Sequence, residues 1–141
     1  MSNDFKQISL KPGFMKHNGG VLFKKNSENE YEFKTKINEN HLNAAGITHG
    51  GFIAALVDAG AGTAAHRSAD QNPCVTISLE LKFISAVRLG QELTGKTKIQ
   101  KKTKTMIFLT CELTAENKIV ATASGVWKIL NKKLPGAGPG G

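Results

Sequence analysis

Two kinds of pattern run along this chain. Most of it alternates between apolar and polar residues, which predicts strands with one covered face. Tyr31-Glu32-Phe33-Lys34-Thr35-Lys36-Ile37 repeats with period two, and Val21-Leu22-Phe23 predicts a strand before it. The polar turn Asn26-Ser27-Glu28-Asn29 joins them. From Cys74 to Ile84 the chain places Val75, Ile77, Leu79, Leu81 and Phe83 on one side, with Thr76, Ser78, Glu80 and Lys82 on the other. Glu92 to Gln100, Thr105 to Thr114 and Ile119 to Leu130 are further strands, and their short connections predict antiparallel neighbours.

One stretch does not alternate. After His49-Gly50-Gly51 the chain reads Phe52-Ile53-Ala54-Ala55-Leu56-Val57-Asp58-Ala59-Gly60-Ala61-Gly62-Thr63-Ala64-Ala65-His66. Almost every position is apolar or small, so the sequence predicts a buried helix, ending near Ser68 to Pro73. At roughly four turns it is too short to span a bilayer. Asp58 is the ionisable interruption, and a carboxylate in a core is costly unless it has partners or a function. Residues 1–19 carry a weak amphipathic pattern broken by Pro12-Gly13, which predicts a short helix or loop. Strands, one buried helix and then more strands make an α+β layout: one helix wrapped by a curved antiparallel sheet. Such a sheet leaves helix and sheet edge incompletely covered, which predicts a second copy of the chain as partner.

The chain has 141 residues with 40% hydrophobic content, consistent with a single folded domain over 1–131. The Pro/Gly-rich segment 132–141 reads as a disordered tail. The start shows no secretory pattern, and Cys74 and Cys111 lie far apart without metal-ligand spacing, so a cytoplasmic protein with reduced thiols is expected. A net charge of +8 favours an anionic partner. Its lysines are dispersed, and no helix-turn-helix, zinc-finger or RNA-binding pattern accompanies them. A small molecule bearing phosphates fits this charge at least as well as nucleic acid does.

Where the helix begins, backbone N–H groups lack helical partners and carry partial positive charge. With glycines there, His49-Gly50-Gly51 can serve as an oxyanion site. A turn that needs glycine, with a histidine that caps or packs, accounts for the tripeptide as well. Asp58 lies eight residues after Gly50, or about 12 Å along one helix. The two can meet at one carbonyl only across two antiparallel helices. A carboxylate tied to backbone or hydroxyl donors is the other reading of Asp58.

Asn43, Gly46, His49-Gly50-Gly51 and Asp58, followed by Val75-Thr76 and the turn Ser85-Ala86-Val87-Arg88-Leu89-Gly90, resemble the hotdog-fold acyl-CoA thioesterases of the phenylacetate-degradation (PaaI) type. The likeness covers roughly residues 18–130. It implies a homodimer or homotetramer that hydrolyses acyl-CoA, with no metal and no cofactor, since CoA is part of the substrate. It also implies roles. The Gly50 N–H, helped by Asn43, polarises the thioester carbonyl, Asp58 of the opposite subunit acts as general base or nucleophile, and His49 supports the arrangement. Thr76 supplies a hydroxyl to Asp58 or water, although its strand parity also suits a solvent-facing residue. Gly51, Phe83, Ser85, Arg88, Lys101, Lys104 and Thr105 would contact the substrate, the nucleotide lying near Phe83 to Arg88 and the 101–105 turn. That turn departs from the family, with Thr103 among lysines where a glycine is frequent.

Competing classes fit less well. Hotdog enoyl-CoA hydratases place histidine five residues after the aspartate, where this chain has Thr63. The 4-hydroxybenzoyl type of thioesterase needs an aspartate before the helix, where Asn38, Glu39, Asn40 and His41 stand. A non-enzymatic acyl-CoA binding module on the same fold is the remaining alternative. Neither a membrane nor a nucleic-acid partner is expected.

Overall fold

A computed structural model describes residues 4–131; the tail expected to be disordered lies outside the described residues. The elements run β1 (Lys6–Gln7), α1 (Phe14–His17), β2 (Leu22–Ser27), β3 (Glu30–Lys36), a 3-10 turn (Glu39–His41), α2 (Gly50–Ser68), β4 (Cys74–Phe83), β5 (Glu92–Lys102), β6 (Met106–Ala115) and β7 (Lys118–Ile129). The strands form one seven-stranded sheet in the order β1-β2-β3-β5-β6-β7-β4, every neighbouring pair antiparallel. The layout is the expected one, a single long helix laid across an antiparallel sheet.

The inward parity of the alternating strands builds the core. Tyr31, Phe33, Leu93, Ile107, Leu109, Leu113 and Trp127 are buried on the helix side, where they meet Phe52, Ile53, Leu56 and Val57 of α2. Burial of each large apolar side chain contributes roughly 1.5–3 kcal/mol. The closest approach of helix to sheet is at Phe33. The root of its ring lies against Gly60 of α2 and its rim against Gly95, its partner residue on β5. A methyl group at either glycine would stand inside the ring, so these glycines are set by packing rather than by backbone conformation.

One expectation holds and one changes. First, α2 is apolar all round, and as expected the chain's own sheet does not surround it. Gly51 and Asp58 are exposed and Ala54, Ala55 and Gly62 half-buried. Their spacing puts them on one face, a stripe of small residues with a single carboxylate. Asp58 is therefore not a core group within one chain. Second, the clean alternation of β4 is interrupted. Its register against β7 shifts between Thr76 and Ser78. A bulge carries one extra residue and reverses the parity beyond it. Thr76 faces Trp127 and Leu79 faces Gly125, so Thr76 shares the helix-facing side with Leu79, Leu81 and Phe83. Its solvent-facing parity in the sequence is overturned by that one residue. β4 is also an edge of the sheet, hydrogen-bonded only to β7.

The packing at Phe33 generates a test whose sign opposes simple helix propensity. Replacing glycine by alanine inside a helix ordinarily gains about 1 kcal/mol. Here Gly60→Ala is expected to lose ~1–3 kcal/mol by overpacking, read as a lower midpoint in thermal unfolding followed by circular dichroism. Combining it with Phe33→Leu should recover part of the loss. A midpoint raised by Gly60→Ala alone would mean that the ring moves aside freely.

Candidate active site

The chain reaches α2 through a tightly hydrogen-bonded loop. Asn43 closes it: its Oδ1 accepts from the N–H groups of Ala45 (2.9 Å) and Ile47 (3.3 Å), and its backbone N–H donates to the Ile47 carbonyl. Gly46 takes φ 79°, a left-handed backbone suited to glycine. With Oδ1 turned inward, the Nδ2 amide is the end of Asn43 left to donate elsewhere. Thr48 then anchors the loop, its N–H (3.0 Å) and hydroxyl (2.8 Å) both donating to the Val87 carbonyl.

His49 is the N-cap of α2, and its Nδ1 accepts from the Gly51 N–H at 2.7 Å. A Cβ at Gly51 would stand 2.9 Å from that nitrogen, so the cap needs glycine there. The N–H groups of Phe52 and Ile53 both donate to the His49 carbonyl, at 3.0 and 3.2 Å. The amides of residues 51, 52 and 53 are thus satisfied. Among the described residues the Gly50 N–H has no acceptor. Of the two alternatives in the sequence the structure shows the cap: His49 takes the neighbouring amide, and the Gly50 N–H is left over. The Phe83 ring lies against Gly50, placing a flat apolar wall beside that amide.

Two turns further along α2, Asp58 projects from the open stripe. The Thr76 hydroxyl donates to its Oδ1 at 2.6 Å, the short distance of a hydrogen bond to a charged acceptor. A donor fixed to a β-strand holds the carboxylate in one orientation. Cys74, two residues from Thr76, is no rival as a nucleophile. Burial pushes its thiol up to about 11, with Lys102 pulling the other way, and burial pushes Cys111 up to about 12. Thiolates are the reactive form, and both cysteines hold their protons at neutral pH.

The expected substrate contacts fall into two groups. Phe83, Ser85 and Arg88 lie at the N-terminal end of α2, with Gly50 and Gly51. The Ser85 hydroxyl is already spent on the Ile119 carbonyl, and Arg88 stands in an exposed loop held by its N–H to Gln91 Oε1. Lys101, Lys104 and Thr105 lie at the other end of the helix, where Lys102 Nζ donates to the Ser68 carbonyl at 2.7 Å. The two groups are separated by the length of a 19-residue helix, about 28 Å. One chain does not bring them together. The histidine beneath the loop, His41, carries no sequence signature of a role, yet it is almost fully buried and stacked on Phe52.

Comparison with known proteins bears on the family and the fold. Residues 45–122 match the thioesterase superfamily. The provisionally named esterase PA0474 of Pseudomonas aeruginosa is 31% identical over 112 residues, covering 79% of this chain and 84% of that one. Human acyl-coenzyme A thioesterase 13 is 32% identical over 88 residues; the match takes in 61% of this chain and 63% of that protein's length. Among solved structures, zebra fish thioesterase superfamily member 2 superposes with a TM-score of 0.76 at 24% identity, covering 86% of this chain and 90% of its own. The PaaI protein from the phenylacetic acid degradation operon of E. coli gives 0.71 at 19% identity, covering 80% and 81%. Sequence match and shared architecture together make this chain a member of the thioesterase superfamily, a thioester hydrolase built on the hotdog fold.

Proposed function

We propose that the protein hydrolyses acyl-CoA thioesters to a free acid and CoA, as a homodimer whose sites each draw on both copies. The observation that carries this reading is the division of labour along α2. An unclaimed N–H stands at Gly50, and a carboxylate oriented by Thr76 stands about 12 Å away on the same open face. A second helix laid antiparallel on the small-residue stripe would bring Asp58 of one copy beside Gly50 of the other. The free edge at β4 offers backbone donors and acceptors to the same partner. The antiparallel relation also sets the 101–105 turn of one copy beside the Phe83–Arg88 end of the other, so that Arg88, Lys101 and Lys104 converge on the CoA phosphates.

The chemistry follows. The thioester oxygen accepts from the Gly50 N–H, with the Asn43 amide as a second donor. Asp58 takes a proton from water as its oxygen bonds to the carbonyl carbon. The tetrahedral intermediate puts its negative charge on the oxygen facing Gly50, where a preorganised N–H stabilises it more than the ground state. The intermediate collapses by breaking the C–S bond, and the departing sulfur recovers the proton from Asp58. Thr76 donates to the carboxylate throughout and so keeps the second oxygen of Asp58 for water. Among the described residues no helix is long and apolar enough to cross a membrane, and the two free cysteines suit a reducing compartment such as the cytoplasm.

Asp58→Asn preserves shape and removes the base. Purified wild-type protein should release thiol from acyl-CoA across a panel of short, long and aromatic acyl groups. The variant should lose ~10²- to 10⁴-fold in kcat while KM stays near the wild-type value. Equal turnover would remove Asp58 from the mechanism. Binding of acyl-CoA by wild type without any turnover would favour the non-enzymatic binding module.

Thr76 offers a second, graded test. Thr76→Ser keeps the hydroxyl and should stay within a few-fold of wild type. Thr76→Val keeps the volume, loses the donor to a charged acceptor and should cost about 1.5–3 kcal/mol of transition-state stabilisation, roughly 10- to 100-fold in kcat. Valine and serine variants of equal activity would leave Thr76 without a part in catalysis.

A further inference from the structure

His41 is distant in role from the reacting groups, yet it joins the segment after α1, the turn before the loop, the helix cap and the first turn of α2. The residue is 1% exposed. Its Nδ1 accepts from the Asn38 N–H at 3.0 Å, which makes the ring the neutral tautomer with its proton on Nε2. That Nε2 then donates to the Asn18 carbonyl, 2.5 Å away, in the segment following α1. The ring stacks on Phe52 of the first turn of α2, with centroids 3.7 Å apart and planes 12° from parallel. Its backbone carbonyl accepts the His49 N–H at 2.7 Å. One side chain thus ties together three separate segments, and its main chain fixes the helix cap.

We propose that His41 is a positioning residue for thioester hydrolysis, locking the His49 cap so that the Gly50 N–H keeps its aim at the carbonyl oxygen. The path is short and made of named contacts. The ring is held from two sides by Asn18 and Asn38 and from a third by Phe52. Its carbonyl therefore stands in one place and fixes the His49 backbone. The His49 ring then occupies the Gly51 N–H, which leaves Gly50 as the amide of this turn with no acceptor among the described residues. Loss of the ring's nitrogens frees the 38–49 loop to shift relative to α2. A displacement of about 1 Å in a positioning group can cost on the order of 10²-fold in rate. No acyl or nucleotide group contacts His41 in this scheme, so substrate affinity should be nearly indifferent to it.

This inference rests on the thioesterase reading for its kinetic arm and stands apart from it in its structural arm. His41→Phe keeps a buried aromatic ring on Phe52 and removes both nitrogen contacts. It is expected to lower kcat ~10- to 100-fold with KM within about threefold of wild type. Amide hydrogen exchange should speed up at His49 and Gly51 while α2 beyond Leu56 stays protected. The milder Phe52→Leu keeps both nitrogen contacts and loses only the stack, so it should show a smaller fall in kcat and faster exchange at the same two amides. If the variants unfold at lower temperature but the folded enzyme keeps wild-type kcat and wild-type exchange at His49 and Gly51, His41 only stabilises the fold and the proposal is overturned. If wild type hydrolyses no acyl-CoA, the thioesterase reading fails instead. Exchange at His49 and Gly51 then still decides the clamp, acceleration in His41→Phe supporting it and unchanged rates rejecting it.

Discussion

An α-helix starts with amides its own backbone cannot satisfy, and how α2 disposes of them decides what this protein can do. The His49 side chain and carbonyl take the N–H groups of residues 51, 52 and 53. Gly50 keeps an N–H with no acceptor among the described residues, at the positive end of the helix dipole. A conventional N-cap with a short serine or aspartate at position 49 would satisfy the same amide but would place a smaller group beside Gly50. The loop before α2, the Val87 segment that accepts from Thr48 and the aromatic wall of Phe83 all converge on this one donor. In the proposed mechanism it is the point at which an otherwise ordinary helix-on-sheet packing acquires chemistry.

Much of this was open to reading in the residues themselves. The helix from Gly50 to Ser68 stands out because fifteen consecutive positions after Gly51 offer no polar face, and the strands because period-two alternation runs through them. Other features depend on information that a linear pattern does not carry. Thr76 sits on the wrong parity until a bulge between Thr76 and Ser78 inserts one residue, and nothing in Val75-Thr76-Ile77-Ser78 announces a bulge. Asp58 looks like a core carboxylate because an apolar helix does not state whether its own sheet or another molecule will cover each face. His41 is opaque for a different reason: its partners lie at Asn18 and Asn38, and the contact to Asn18 spans 23 residues.

Charge shows the same limit. A net +8 suggests an anionic partner, yet on the sheet some lysines simply pair with acids, as Lys24 does with Glu32 and Lys34 with Glu92. Lys34–Glu92, the more exposed of the two pairs, contributes little, about 0–1 kcal/mol. Lys24 and Lys34 also lie over the Phe5 ring, at 4.8 and 4.2 Å, so their charge helps hold the N-terminal segment to the sheet. The lysines of the 101–105 turn differ in position rather than in number. They stand at the far end of α2 from Arg88, and only a geometry involving two copies makes them one binding surface.

If Gly50 and Asp58 act on one carbonyl, as proposed, their separation is the constraint that requires two copies. Within one straight helix, residues eight apart lie about 12 Å from each other along the axis, while a carbonyl under attack needs its oxyanion donor and its water-activating base within about 3 Å of the reacting atoms. No rotamer of an aspartate spans that gap. Reversing a second identical helix turns a fixed separation into a match, because the distance from Gly50 to Asp58 is the same in both copies. The small residues Ala54, Ala55 and Gly62 on that face let two backbones approach, where leucines would hold them apart. In the proposed dimer, the same open stripe that leaves Asp58 exposed in the single chain would supply the means of completing its site.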